Sequence, residues 1–102
     1  MVKIVALVTV YNPDKNVVEN LQILSRQVEQ VILCDNSMND NAQMLGGVTK
    51  SIYTTQHKNL GLTGAFNSIL KDPAYGWKDD DLIIFFDQDS QIGEGYIQAL
   101  QD

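Results

Sequence analysis

The residues best suited to chemistry in this chain stand at 82–90, where Leu82-Ile83-Ile84-Phe85-Phe86 runs straight into Asp87-Gln88-Asp89-Ser90. A buried strand ending in Asp-x-Asp delivers paired hard oxygen donors to the carboxyl edge of a sheet, where open α/β proteins bind their ligands. Strand side chains repeat every second residue, so Asp87 and Asp89 project in roughly the same direction. Two carboxylates, completed by water and a ligand's phosphates, are a common way to hold Mg²⁺ or a similar divalent ion such as Mn²⁺. The segment points to a metal-bridged diphosphate; a solvated acidic turn is the plainer alternative.

Two other apolar runs end in polar clusters, Thr9-Val10-Tyr11-Asn12 and Asp35-Asn36-Ser37. In a parallel sheet such ends share one edge, so residues distant in sequence converge. Asp35 is suited to accept a hydrogen bond from a pyrimidine ring N–H or a ribose hydroxyl, or equally to form an Asx-turn leaving its strand. Tyr11 is suited to stack on a base, or to pack as a half-buried turn aromatic. In Asn59-Leu60-Gly61-Leu62-Thr63-Gly64-Ala65-Phe66-Asn67 glycines stand where a loop enters a helix, and free N–H groups at such a start favour phosphate. The stretch lacks Walker-loop spacing, and helix capping alone also accounts for it. His57 reads as a surface or loop residue, Tyr75 and Trp77 as packing residues, and Cys34 as an inert core thiol. Asp79-Asp80-Asp81 precedes its strand, at the opposite edge, and reads as an exposed connector.

The elements that must position these groups follow from periodicity. Residues 3–9 predict a strand buried on both faces. Asn12 is a candidate N-cap, with Pro13 at the first helical position, for a helix whose stripe is Val17, Leu21, Leu24 and Val28. A second strand is expected over 30–34, one helical turn near Ala42–Leu45, and a third strand over 51–55. Thr63 is placed to cap a helix carrying Ala65, Phe66, Ile69 and Leu70, which Asp72-Pro73 stops. A strand over 82–86 and a further helix from Gly95 to Gln101 complete the pattern. Such alternation means βαβ units and a parallel sheet.

With 102 residues the chain is one domain at most, or a piece of one. Because it stops within a turn or two of its last helix, a larger parent domain is expected. A formal net charge of −6 without a Lys/Arg cluster argues against non-specific nucleic-acid binding and against attraction to anionic lipid. A single cysteine rules out an intrachain disulfide. With no stretch resembling a signal peptide or a bilayer span, it suggests a reducing, cytoplasmic setting.

Taken together and in order, these segments resemble the N-terminal half of a family 2 glycosyltransferase of the GT-A fold, and Asp87-Gln88-Asp89-Ser90 has the form common in its rhamnosyltransferase-like branch. The resemblance spans essentially the whole chain. It implies a Rossmann-like three-layer α/β/α architecture with a mostly parallel sheet, truncated here. It also implies that Thr9, Tyr11, Asn12, Asp35, Asn36, Asn59, Gly61, Asn67, Asp87 and Gln88 contact a nucleoside-diphosphate sugar, dTDP- or UDP-linked, while Asp87 and Asp89 hold the divalent metal. The implied reaction is inverting transfer, with rhamnose-like sugars favoured, to a saccharide or lipid-linked acceptor in cell-surface polysaccharide synthesis. The full-length protein would then work at the inner membrane face. Phe66 departs from the family, which often has a basic residue there, and the family's catalytic base falls beyond Asp102. The chain alone is accordingly expected to be inactive, and an exposed sheet edge is expected to favour a homodimer.

Other classes also fit parts of the pattern. Haloacid-dehalogenase-like phosphatases use Asp-x-Asp as nucleophile and acid, but there it opens the domain and is followed by Thr or Val, not Ser90. A flavodoxin-like or receiver-like interaction module explains the alternation, yet would place acidic residues where Thr9-Val10-Tyr11-Asn12 stands. A non-catalytic nucleoside-diphosphate binder differs only in turnover.

Overall fold

The computed structural model describes residues 3–55, 61–71, 78, 81–88, 93, 95 and 97. They form β1 (Ile4–Val10), α1 (Lys15–Ser25), β2 (Gln30–Asp35), α2 (Ala42–Leu45), β3 (Ser51–Thr55), α3 (Gly61–Leu70) and β4 (Leu82–Asp87). The strands build one sheet in the order β3-β2-β1-β4, and every pairing is parallel. The fold is therefore α/β, as the alternation of elements predicts.

The unbroken apolar runs of β1 and β2 are explained by their central places. Every residue of β1 is buried, and its alternate side chains feed two cores. Ile4, Ala6, Val8 and Val10 meet Leu21 and Leu24 of α1 and Leu45 of α2. Val5 and Leu7 meet Ile32 and Cys34 of β2 and Phe66 and Ile69 of α3. Helices thus cover both faces, α1 and α2 on one and α3 on the other. Each Val, Leu or Ile side chain so buried contributes about 1.5–3 kcal/mol. Phe66 also stacks on Phe85, with ring centroids 4.4 Å apart.

Element boundaries differ from the sequence expectation in ways that matter for the site. β1 extends through Val10, and Asp35 and Asp87 are the last residues of their strands rather than the first of their loops. The cap of α1 is Asp14, whose Oδ1 accepts from the Val17 N–H at 3.1 Å, not Asn12. Asn12 is unsuited to the task because its backbone is in the left-handed region, with φ 44°. α3 starts at Gly61, so Thr63 lies within the helix instead of capping it. α2 and β3 occupy the residues expected. At the amino edge Asp81 accepts from the Lys78 N–H at 2.9 Å, before β4 begins. Ile97 is buried in the core that contains Phe86. The expected Asp72-Pro73 stop, His57, Tyr75, Trp77, Asp79, Asp80 and most of the expected 95–101 helix lie outside the described residues.

Candidate functional site

Parallel pairing brings the carboxyl ends of all four strands to one edge, and the register fixes which residues meet there. Thr9 is flanked by Cys34 on β2 and by Asp87 on β4, while Val10 pairs with Asp35, which in turn pairs with Thr55. Strand alternation decides the faces. Thr9 and Asp87 share the parity of Val5, Leu7 and Ile83 and belong to the α3 face; Asp35 shares that of Val31 and Leu33 and belongs to the α1–α2 face. Asp87 and Asp35 thus meet at one edge but on opposite sides of the sheet.

The turn leaving β1 is held from both neighbouring strands. On the β4 side, Gln88 Oε1 accepts from the Tyr11 N–H at 2.8 Å, and Gln88 Nε2 donates to the Tyr11 carbonyl at 2.9 Å. On the β2 side, the Asn36 N–H donates to the Val10 carbonyl at 2.8 Å, and the Asn12 N–H donates to Ser37 Oγ at 2.7 Å. Asn tolerates the left-handed backbone that this turn requires at position 12. The backbone is fixed while the outer surface stays open: Tyr11 is 49% exposed, and Asn12 and Asp87 are exposed beside it.

Asp35 has a different character. It is 2% exposed. Its Oδ1 accepts from the Ser37 N–H at 2.9 Å, and its Oδ2 accepts from Tyr53 Oη at 2.6 Å and Asn41 Nδ2 at 2.9 Å. Burial pushes its pKa up, but hydrogen bonds from the Ser37 side chain, Tyr53, Asn41 and the Ser37 backbone outweigh that, leaving the carboxyl below its ordinary value. The carboxylate expected to read a base is thus committed to the protein's own donors. Tyr53 responds oppositely: burial, then the bond to Asp35, raises its phenol to about 12. Cys34 is buried, and burial pushes its thiol up to about 12, as expected of an inert core residue.

The remaining candidates divide by exposure. Thr9 and Asn36 are buried. Gly61 opens α3, and Asn67 is exposed on it, whereas Phe66, where the resemblance would often place a basic residue, points into the core. Asn59 and Asp89 lie outside the described residues. Among the described residues no cluster of three or more His, Cys, Asp or Glu could hold a metal by itself. The exposed carboxylate of Asp87 is a hard oxygen donor of the kind Mg²⁺ or Mn²⁺ takes when phosphates and water complete the shell. Sequence reasoning missed Ser37, Asn41 and Tyr53 as organisers of the edge. Only the shared parity of Tyr53 and Asp35 on adjacent parallel strands could have hinted at their contact.

Comparison with family models, with curated proteins and with solved structures finds no match. Among the described residues no helix is long and apolar enough to cross a membrane.

Proposed function

We propose that this chain is the nucleoside-diphosphate-sugar-binding portion of a glycosyltransferase, built on a Rossmann-like α/β/α arrangement of the GT-A type. The observation that carries the reading is the braced β1 exit turn, with Tyr11, Asn12 and Asp87 exposed together between β1 and β4. The chain leaves β1 toward β2, and from β3 it returns to β4 on the far side of β1. That reversal of strand order is where open α/β sheets bind ligands. The order β3-β2-β1-β4 also begins the way dinucleotide-binding sheets begin, and it differs from the 2-1-3 start of flavodoxin-like sheets. That difference counts against the receiver-like alternative.

In this reading the Tyr11 ring stacks on the base, Asn12 offers polar contacts, and the start of α3 at Gly61 faces the phosphates. Asp87, with Asp89, would hold a divalent ion, which when bound neutralises charge on the departing nucleoside diphosphate. Gln88 and Asp35, expected to contact the donor, also brace the turn. The acceptor, a saccharide or lipid-linked saccharide, and the base that deprotonates it are assigned to no residue of this chain.

Calorimetric titration with uridine and thymidine diphosphates, with and without Mn²⁺, tests the proposal. Metal-dependent binding that an Asp87→Ala, Asp89→Ala double variant loses is the expected result, and the preferred base names the donor class. Absence of binding by a folded chain would overturn it.

A further inference from the structure

The hydrogen bonds around Asp35 do not end at Asp35. Tyr53 Oη donates to Asp35 Oδ2 at 2.6 Å and itself accepts from the Asn41 N–H at 3.0 Å. Asn41 Nδ2 donates to the same Oδ2 at 2.9 Å. On the other side, the Ser37 backbone N–H donates to Asp35 Oδ1 at 2.9 Å. Ser37 Oγ is in turn the acceptor of the Asn12 N–H, at 2.7 Å. The series crosses from β3 through β2 to the turn after β1. Ser37 is fully buried, Asp35 nearly so, and the Tyr53 ring packs against the core that includes Leu45 and Val48.

We infer that Tyr53 is a positioning residue for the Tyr11-Asn12 turn, acting through the relay Tyr53–Asp35–Ser37–Asn12. Asp35 Oδ1, by accepting the Ser37 backbone N–H, fixes the turn from which the Ser37 side chain projects. Asp35 thereby places Ser37 Oγ where it accepts the Asn12 N–H. Tyr53 and Asn41 hold Asp35 in the rotamer that permits this, because both converge on Oδ2 and leave Oδ1 to Ser37. Val10 is held separately by the Asn36 N–H, so the relay specifically governs the next step of the chain, where the backbone turns left-handed at Asn12. The relay stands on these contacts alone; its consequence for a ligand rests on the glycosyltransferase reading above.

Amide hydrogen exchange at Asn12, followed by NMR on the unliganded chain, measures the relay without any ligand. Tyr53→Phe keeps the ring in the core and removes only the hydroxyl. It is expected to speed Asn12 exchange about tenfold while the Val31 amide in the middle of β2 is unchanged. Ser37→Ala is expected to do the same directly, and the Tyr53→Phe, Ser37→Ala double variant to add little, since both break one chain. Asn12 exchange unchanged in Tyr53→Phe, or effects of the two substitutions that simply add, would overturn the relay. Titration of wild type and Tyr53→Phe with uridine diphosphate and Mn²⁺ separates the two proposals. Failure of the wild type to bind removes the glycosyltransferase reading and leaves the Asn12 exchange result to decide the relay. Binding by wild type that Tyr53→Phe weakens, with metal affinity at Asp87 retained, ties the relay to the ligand.

Discussion

Gln88 and Tyr11 exchange two hydrogen bonds across the gap between β4 and β1, the side-chain amide of one matching the main-chain N–H and C=O of the other. Gln88 behaves as one extra unit of β4, continuing the parallel ladder past Thr9 and Asp87 with its side chain where the main chain turns away. The middle residue of Asp-x-Asp thereby sets the distance between the acidic strand end and the aromatic turn beside it.

Gln88→Ala is expected to cost about 1 kcal/mol, toward the low side for two hydrogen bonds because both are solvent-accessible. Gln88→Glu keeps an acceptor for the Tyr11 N–H but turns a second oxygen toward the Tyr11 carbonyl. It should be the less stable variant at neutral pH and recover as the new carboxylate is protonated. Urea denaturation of both variants across acid and neutral pH measures this.

Asp35 makes stability acid-sensitive. Its carboxyl is held below the ordinary 3.8 in the folded chain, so its contribution is present above that value and is lost as pH falls through the folded value. Asp35→Asn, which keeps the shape without the charge, is expected to cost about 2 kcal/mol at neutral pH. The gap between variant and wild type should then close on acidification, as read from urea midpoints against pH.

Cys34 and Tyr53 act at the alkaline end. Each is raised to about 12, from 9.0 for the thiol and 10.0 for the phenol. Their contributions are therefore intact below those ordinary values and are lost as pH rises toward the folded ones. Cys34 should resist a thiol reagent at mildly alkaline pH in the folded chain and react at once in denaturant; reagent kinetics with and without urea show it. Tyr53→Phe should flatten part of the alkaline loss of stability.

Asp14→Ala is expected to destabilise α1 by about 1 kcal/mol, the usual cost of losing an N-cap. Asn12→Ala costs stability for another reason, the left-handed φ at that position, whereas Asn12→Gly should be nearly neutral. Thermal melts of the three variants separate a capping role from a turn role.

The sheet was legible because its signals are local: apolar runs rich in Val, Ile and Leu mark β1 and β2, which are buried on both faces, and also β4, which pairs as expected but leaves Leu82 and Phe85 exposed rather than buried. α2 and β3 were legible from turn residues and β-propensity. The cap of α1 falls at Asp14 instead of Asn12, two residue types about equally favoured as N-caps, and only the turn's tertiary bonds to Ser37 and Gln88 decide between them. The character of Asp35 was the harder matter. Asp35-Asn36-Ser37 advertises both a binding carboxylate and an Asx-turn, and the choice depends on Tyr53 and Asn41, which no local pattern ties to it. The meeting of Asp87 and Tyr11 at one edge followed from topology, since parallel strands end together.

The central position of β1 has a consequence for the order in which the molecule assembles. Asn12 is bonded to Ser37 25 residues away, whereas Tyr11 is bonded to Gln88 77 residues away. Closing the longer loop costs about 1 kcal/mol more chain entropy, and non-local strand pairings form slowly. β1, β2 and β3 are thus favoured to associate first, leaving one side of β1 open until β4 arrives. The edge that carries Asp87 then comes into being only when the final strand docks. A ligand bridging Tyr11 and Asp87 would act as a clasp on that last step, slowing unfolding far more than it speeds folding.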